Sequence, residues 1–274
     1  MDIKKLLTRS VSGLVYVLLI IGCVLWGSTG IAVLGILLAI LSTFELEKII
    51  HEARPRRMPL VALDMLGVVL LAVSFNPVIP VVPLVLWILV ILARLILELY
   101  AKDENPLKSM AHSIFVQIYI GLPLCAMSIT SLIVVPKAIL LVFLFLWIND
   151  TGAYLVGSMV GKHRLFERIS PKKSWEGFFG GLVFNLIAAS IFCYCSSTFM
   201  GLHANIIQWL IFALIVTVFG TWGDLIESMI KRHLNIKDSG NLIPGHGGIL
   251  DRIDSFLLAM PAVLVFFSFI YLYQ

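Results

Sequence analysis

Long apolar stretches recur along this chain of 274 residues, and they limit its fold more than any other feature. Several of them reach the ~20 residues that a helix needs to cross the hydrocarbon core of a bilayer. Only 13% of the residues are charged, whereas a soluble domain carries about 25%. The sequence therefore predicts an all-α, polytopic integral membrane protein.

About nine transmembrane helices fit between the polar loops. The predicted spans are residues 11–26, 30–46, 59–75, 78–97, 112–133, 137–158, 176–196, 205–229 and 252–273. The first is interpreted as a retained helix, because no small-x-small cleavage pattern follows it. We expect a single transmembrane domain over 1–274, with N-terminal helices in 1–110 and catalytic helices with cytoplasmic loops in 111–274.

The positions of the basic residues predict how these spans are oriented. With a cytoplasmic N-terminus, all 20 Lys and Arg residues except Lys137 fall on the cytoplasmic side. Arg94 lies in the last turn of its span and is expected to snorkel to that side. This asymmetry follows the positive-inside rule and places the C-terminus on the opposite side. The net charge of +4 thus reflects topology, and we expect membrane lipids, not nucleic acid, as partners.

Four polar residues share one helical face near the end of the eighth span. Asp224, Glu227, Ser228 and Lys231 are spaced by three, four and seven residues in the sequence GDLIESMIKR, which aligns them on a helix. Such a cluster at a membrane boundary indicates a metal and phosphate site. An intrahelical ion pair that only ends a span is the alternative.

Asp251 and Asp254 form a second acidic cluster at the start of the last span, beside Arg252. Carboxylates in a first helical turn can cap free N–H groups, which accounts for one of them. Two carboxylates also suit Mg²⁺, which takes one or two protein carboxylates and completes its octahedron with phosphate oxygens and water. The number of bound cations, one or two, stays open.

A glycine-rich turn separates the two acidic clusters. The sequence Pro244-Gly-His-Gly-Gly allows a tight turn whose backbone N–H groups can face an anion. With the nearby cations it predicts a phosphate cradle, although a plain interhelical turn is the alternative. His246 either donates to phosphate or is satisfied within the turn. The cradle residues are Lys231, Arg232, Lys237, His246, Gly247, Gly248 and Arg252.

A second basic segment covers residues 161–177, GKHRLFERISPKKSWEG. Ser170 and Pro171 are typical of a helix N-cap and first helical residue. Lys172 and Lys173 would then lie in the first turn, where cations oppose the helix dipole and an anionic ligand would relieve the conflict. Contact with lipid headgroups is the alternative. Asp150 is an intramembrane acid and so a functional candidate; it either lines the site or pairs with a cation of the cytoplasmic side. Asp64, the other acid within a span, has no partner in the sequence, and its role stays open.

Residues Ser228 to Asp254 read S-x-x-K-R-x4-K-D-x-G-x3-P-G-H-G-G-x-x-D-R-x-D. Together with the preceding GD-x-x-E, this resembles the signature of phosphatidate cytidylyltransferases, also called CDP-diacylglycerol synthases. DT-x-AY-x-x-G and SPKK-x-WEG, between Asp150 and Gly177, match as well. The resemblance covers the C-terminal half in detail and the first half only in hydropathy.

This resemblance implies an enzyme of the cytoplasmic (inner) membrane that transfers CMP from CTP to phosphatidate, with Mg²⁺, and releases pyrophosphate to the cytoplasmic side. It implies catalytic roles for Asp224, Ser228, Lys231 and Asp251, and metal ligation by Asp224, Asp251 and Asp254. The implied substrate-binding residues are Lys172, Lys173, Arg232, Lys237, His246, Gly247, Gly248 and Arg252.

Two other functions stay open at this point. A CTP-dependent lipid-alcohol kinase would release CDP instead of pyrophosphate, and an ion or solute transporter would use Asp64, Asp150 and Asp224 as relay carboxylates. The sequence also leaves the oligomeric state open, with a homodimer as one alternative.

Overall fold

Helices make up most of the structure, a computed structural model that describes residues 3–51, 58–75, 81–101, 104–200, 204–240, 242–245 and 247–272. One short antiparallel hairpin interrupts them. The helices are α1 (Ile3–Leu25), α2 (Ser28–His51), α3 (Met58–Val73), α4 (Val82–Ala101), α5 (Pro106–Val116), α6 (Leu122–Ile133), α7 (Lys137–Val160), α8 (Trp175–Met200), α9 (Ile206–His233) and α10 (Leu250–Leu272). The strands are β1 (Arg164–Phe166) and β2 (Ser170–Ser174).

The apolar helices confirm the all-α, multi-pass membrane fold. A π-helical turn at Gln117–Gly121 joins α5 and α6 into one rod. Within the described residues, seven helices or rods are long and apolar enough to cross a bilayer, and Ser10–Leu25 and Met58–Val73 are shorter apolar helices. The count of nine spans and the orientation of the termini stay predictions.

The chain forms two compact units, which differ from a simple division into halves. Unit 1 contains Met1–Pro136 and Asp238–Arg252, and unit 2 contains Lys137–Lys237 and Ile253–Gln274. The predicted division of one domain at residues 110 and 111 stays a prediction. The segment 238–252 belongs with the N-terminal helices because the chain returns to contact them there, for example through Leu250 and Glu45.

Unit 1 is built around α2 and α3, and it buries an ionic network. The α2 helix packs against α1, α3 and α6, and α3 also contacts α4. Arg94 on α4 is 2% exposed and forms ion pairs with Asp64 on α3 (Nε–Oδ1 3.3 Å) and with Glu98. Ser109 on α5 accepts from Arg94 and donates to Glu98, at 3.0 and 2.9 Å. The prediction that Arg94 snorkels to a membrane face is therefore wrong, because its charge is neutralised inside the unit.

Unit 2 packs α7 against α8 and α9 through small residues and aromatic rings. Gly180 on α8 lies against Val156, so that a β-carbon at this glycine would collide with the α7 side chain. The rings of Phe145, Trp209 and Phe212 contact one another at centroid distances of 5.1–6.2 Å. These contacts fix the helices that carry the polar residues described next.

The basic segment between α7 and α8 folds as the hairpin, not as a helix start. Arg164 pairs with Ser174, and Phe166 pairs with Ser170. The α8 helix begins only at Trp175, where the Ser174 hydroxyl accepts the Gly177 N–H at 3.1 Å. The prediction that Ser170 and Pro171 begin a helix is wrong, because cross-strand pairing with β1 outweighs the local capping preference.

Candidate functional site

The end of α9 carries a row of interacting polar side chains in unit 2. The Ser228 hydroxyl donates to Asp224 Oδ1 at 3.2 Å. One turn further along, Lys231 forms an ion pair with Glu227, whose side chain is 3% exposed. The prediction that these four residues share a helical face is confirmed, and the ion pair considered as the alternative is also present. Asp224 itself is half-buried, with 32% of its side chain exposed.

Strand β2 supplies a cation to this row. Lys173 Nζ lies 2.6 Å from Asp224 Oδ2. Successive side chains of a strand point to opposite faces, and Lys172 is exposed whereas Lys173 is half-buried. Lys173 therefore contacts this row of side chains from a strand, and not from the first turn of a helix as the sequence had predicted. Its predicted contact with phosphate stays a prediction.

Asp254 on α10 belongs to the same cluster. It lies close enough to Asp224, Glu227 and Asp150 for their charges to act on its own, and its Oδ1 accepts the Ser255 N–H at 2.6 Å. The backbones of α9 and α10 approach closely here, since a β-carbon on Gly223 would lie 2.6 Å from the Asp254 carbonyl oxygen. This explains why a glycine precedes Asp224. We call Asp150, Lys173, Asp224, Glu227, Ser228, Lys231 and Asp254 the carboxylate–lysine cluster.

Two further predicted cations of unit 2 lie on its surface. Arg232 is exposed and donates to the carbonyl oxygens of Ile169 and Ile236, at 3.4 and 3.3 Å. Lys237 is exposed at the end of the first segment of unit 2. Their predicted contacts with phosphate, and that of Lys172, stay predictions.

In unit 1, Asp251 is bonded to the backbone of the glycine-rich loop. Its carboxylate accepts the Ser239 N–H at 3.1 Å and the Gly248 N–H at 3.0 Å. Gly247 adopts a positive φ of 84°, and a β-carbon there would lie 2.7 Å from Asp251 Oδ2. Arg252 is exposed, and its backbone carbonyl oxygen accepts a hydrogen bond from the Tyr16 hydroxyl at 3.2 Å. His246 lies outside the described residues, so its role stays a prediction.

Sequence reasoning missed one residue of this loop region, Glu45 on α2. It is 5% exposed, and its Oε2 accepts the Leu250 N–H at 2.9 Å, across 205 residues of sequence. The signal was available, because an acid inside an apolar span is a functional candidate by default. That argument was applied to Asp64 and Asp150 but not to Glu45.

The donor atoms of the carboxylate–lysine cluster suit Mg²⁺. No three His, Cys, Asp or Glu side chains converge as a preformed metal cage within the described parts of the chain. Mg²⁺ does not need one, since it binds through one or two carboxylates together with substrate phosphates and water. Asp224 and Asp254 supply two carboxylates, and the cluster as described contains no Cys or His that would favour a softer metal.

Comparison with known proteins shows the family of the chain. Residues 7–270 match the Cytidylyltransferase family. The chain belongs to this family. Proteins named phosphatidate cytidylyltransferase from Staphylococcus epidermidis and Staphylococcus aureus are 46% identical over 125 residues and 50% identical over 123 residues. These alignments cover 46% and 45% of the chain and 46% of each relative, so the chain spans about half the length of the curated relatives it matches.

Proposed function

We propose that this member of the cytidylyltransferase family transfers the CMP moiety of CTP to phosphatidate, giving CDP-diacylglycerol and pyrophosphate. The single observation that carries the proposal is the Lys173–Asp224 pair at 2.6 Å within the carboxylate–lysine cluster. It brings a strand lysine and a helix carboxylate together beside three further acids, on a chain whose relatives are named phosphatidate cytidylyltransferase. We further propose that the site faces the cytoplasm from the cytoplasmic membrane.

The reaction joins two polyanions, so charge neutralisation is the main requirement. A phosphate oxygen of phosphatidate attacks the α-phosphorus of CTP, a new P–O bond forms, and the bond to the β-phosphate oxygen breaks to release pyrophosphate. Catalysis of such transfer is mainly positioning and electrostatic stabilisation. No strong base is needed, because the attacking phosphate is already ionised at neutral pH.

Lys173 has a partner that phosphate can replace. Both members of the Lys173–Asp224 pair are about a third exposed, so an incoming phosphate oxygen can reach the ammonium group without first opening a buried core. Lys231 is held more firmly, because Glu227 is buried beside it. We assign Lys173 to the approaching phosphates, Lys231 to the fixed positive potential of the site, and Ser228 to the orientation of Asp224.

Asp224 and Asp254 would hold Mg²⁺, which supplies Lewis-acid polarisation and neutralises charge on the triphosphate when bound. Asp251, which the resemblance also names as a ligand, is in this structure an acceptor for two backbone N–H groups of its own unit. Its participation as a ligand stays a prediction, as does a second cation.

The test is pyrophosphate release by the purified protein with CTP, phosphatidate and Mg²⁺. We expect release to require all three, to stop when EDTA removes the metal, and to recover when Mg²⁺ is restored. Diacylglycerol in place of phosphatidate is the matched control and should give no pyrophosphate. Release of CDP without pyrophosphate would contradict the proposal and favour the lipid kinase, and solute transport in vesicles without nucleotide turnover would favour the transporter.

A further inference from the structure

We propose that Glu45, on the second helix, is a positioning residue that holds the glycine-rich loop in the shape needed for cytidylyl transfer. The inference rests on the proposed function. It concerns the half of the chain that the family resemblance covers only in hydropathy, and it assigns that half a role in the reaction beyond membrane anchoring.

One oxygen of Glu45 caps the start of α10. Oε2 accepts the N–H of Leu250, the first residue of that helix, at 2.9 Å. The first N–H groups of a helix have no intrahelical acceptor, and a carboxylate satisfies both the donor and the positive end of the dipole. Because α10 carries Asp251 in its first turn, the bond from Glu45 fixes where that turn begins.

The other oxygen of Glu45 occupies the space where Gly240 and Gly248 have no side chain. Glu45 Oε1 is buried and has no hydrogen-bond partner among the described residues. A β-carbon on Gly240 would collide with it, and all three of the nearest atoms to that β-carbon belong to Glu45. A β-carbon on Gly248 would collide with the same oxygen and with the Ser239 hydroxyl. Gly240 and Gly248 thus admit the Glu45 carboxylate between them.

Asp251 completes the arrangement from within the loop. It accepts the N–H of Ser239, which precedes Gly240, and the N–H of Gly248 itself. Two carboxylates therefore hold both ends of the segment from Ser239 to Leu250. A desolvated acid is costly to keep in a membrane span, and a purely structural cap at this point needs only a short polar side chain.

Neighbouring Glu47 offers a matched control. It is equally buried, at 3% exposure, and lies two residues away on the same helix, but its Oε1 pairs with His112 at 2.9 Å. A Glu47→Gln variant removes a comparable buried charge from α2 at a side chain that pairs with His112 on α5. Effects shared by Glu45 and Glu47 variants would reflect unit stability alone.

The experiment combines amide hydrogen exchange of peptides covering residues 239–250 with steady-state kinetics on folded, detergent-purified protein. We expect Glu45→Ala to raise exchange in these peptides and to lower kcat by about tenfold or more, with Glu45→Gln intermediate because its amide oxygen can still accept the Leu250 N–H. Glu47→Gln should change neither quantity. Unchanged exchange in Glu45→Ala, raised exchange with unchanged kcat, or equal effects of Glu47→Gln would each overturn the inference.

A double-mutant cycle tests the contact directly. Gly240→Ala should raise loop exchange in the wild-type background and do so less in Glu45→Ala, because the colliding carboxylate is then gone. Additive effects would overturn the contact. The exchange measurements do not depend on turnover. If the wild-type protein releases no pyrophosphate, the proposed function is wrong. The exchange measurements would still test the contact between Glu45 and the loop.

Discussion

Asp224 in unit 2 and the two acids at the glycine-rich loop of unit 1 differ in the kind of partner they have. In unit 2, Asp224 is paired with the side chains of Lys173 and Ser228, at 2.6 and 3.2 Å. In unit 1, Asp251 and Glu45 accept backbone N–H groups. A lysine side chain can exchange a carboxylate for a phosphate, whereas a backbone N–H is fixed by the fold. In our proposals we accordingly assign Asp224 to substrate and metal, and Glu45 to the shape of the loop.

Removal of the Asp224 charge should have the largest effect. We expect Asp224→Asn to lower kcat about 10³-fold, because the carboxylate no longer holds the metal or orients Lys173. The protein should stay folded, since Asp224 is a third exposed. Pyrophosphate release and thermal unfolding of the same preparation measure both. Glu104→Gln, an exposed acid of unit 1, is the control, and near wild-type turnover in Asp224→Asn would remove this residue from the site.

The buried network of unit 1 should affect stability and not chemistry. Arg94→Met leaves Asp64 and Glu98 buried without their cation, which costs about 3 kcal/mol of unfolding free energy. We expect a lower thermal midpoint in detergent, with kcat per folded molecule unchanged. The triple variant Arg94→Met, Asp64→Asn, Glu98→Gln should regain much of the stability. A lower kcat in the folded triple variant would show that this comparison of the units is wrong.

Two adjacent lysines then sharpen the distinction within one strand. Lys173→Ala should lower kcat/KM by about 10–100-fold, because the ammonium that meets the phosphates is lost. Lys172→Ala is the matched control, because Lys172 has the same charge and the adjacent position. It should have a smaller effect, since its side chain is exposed. Kinetics at varied CTP measure both. Equal losses would indicate general attraction of anions by the hairpin instead of a specific partner exchange.

The smallest expected effect concerns the close approach of α9 and α10. Gly223→Ala introduces a β-carbon 2.6 Å from the Asp254 carbonyl oxygen and must move the helices apart. We expect a loss of about 1–3 kcal/mol in stability and a several-fold lower affinity for Mg²⁺. Metal titration of turnover measures the second effect. An unchanged Mg²⁺ requirement would indicate that Asp254 does not share the cation with Asp224.

The helices were predictable because ~20-residue apolar stretches have few alternatives in a bilayer. The row on α9 was predictable because Asp224, Ser228 and Lys231 follow helical spacing. The strand at SPKKS was not predictable, since Ser-Pro suits both a helix start and an edge strand. Only the pairing with Arg164–Phe166 decides between a helix and a strand here.

Contacts between distant parts of the chain were also beyond local patterns. Arg94 forms an ion pair with Asp64, 30 residues away in sequence. Glu45 accepts the Leu250 N–H, 205 residues away. Local spacing predicted snorkelling for Arg94 and gave no reason to connect α2 with the glycine-rich loop. The only sequence signal for either contact was a charged residue within an apolar span, and this signal does not indicate which residue is its partner.

Position-specific labelling of CTP tests the proposed chemistry most directly. With CTP labelled at the α-phosphorus, phosphatidate and Mg²⁺, we predict that label enters the lipid fraction in wild-type protein and in Glu104→Gln, and not in Asp224→Asn. Label that enters lipid from the γ-phosphorus, or that enters equally in Asp224→Asn, would contradict cytidylyl transfer at the carboxylate–lysine cluster.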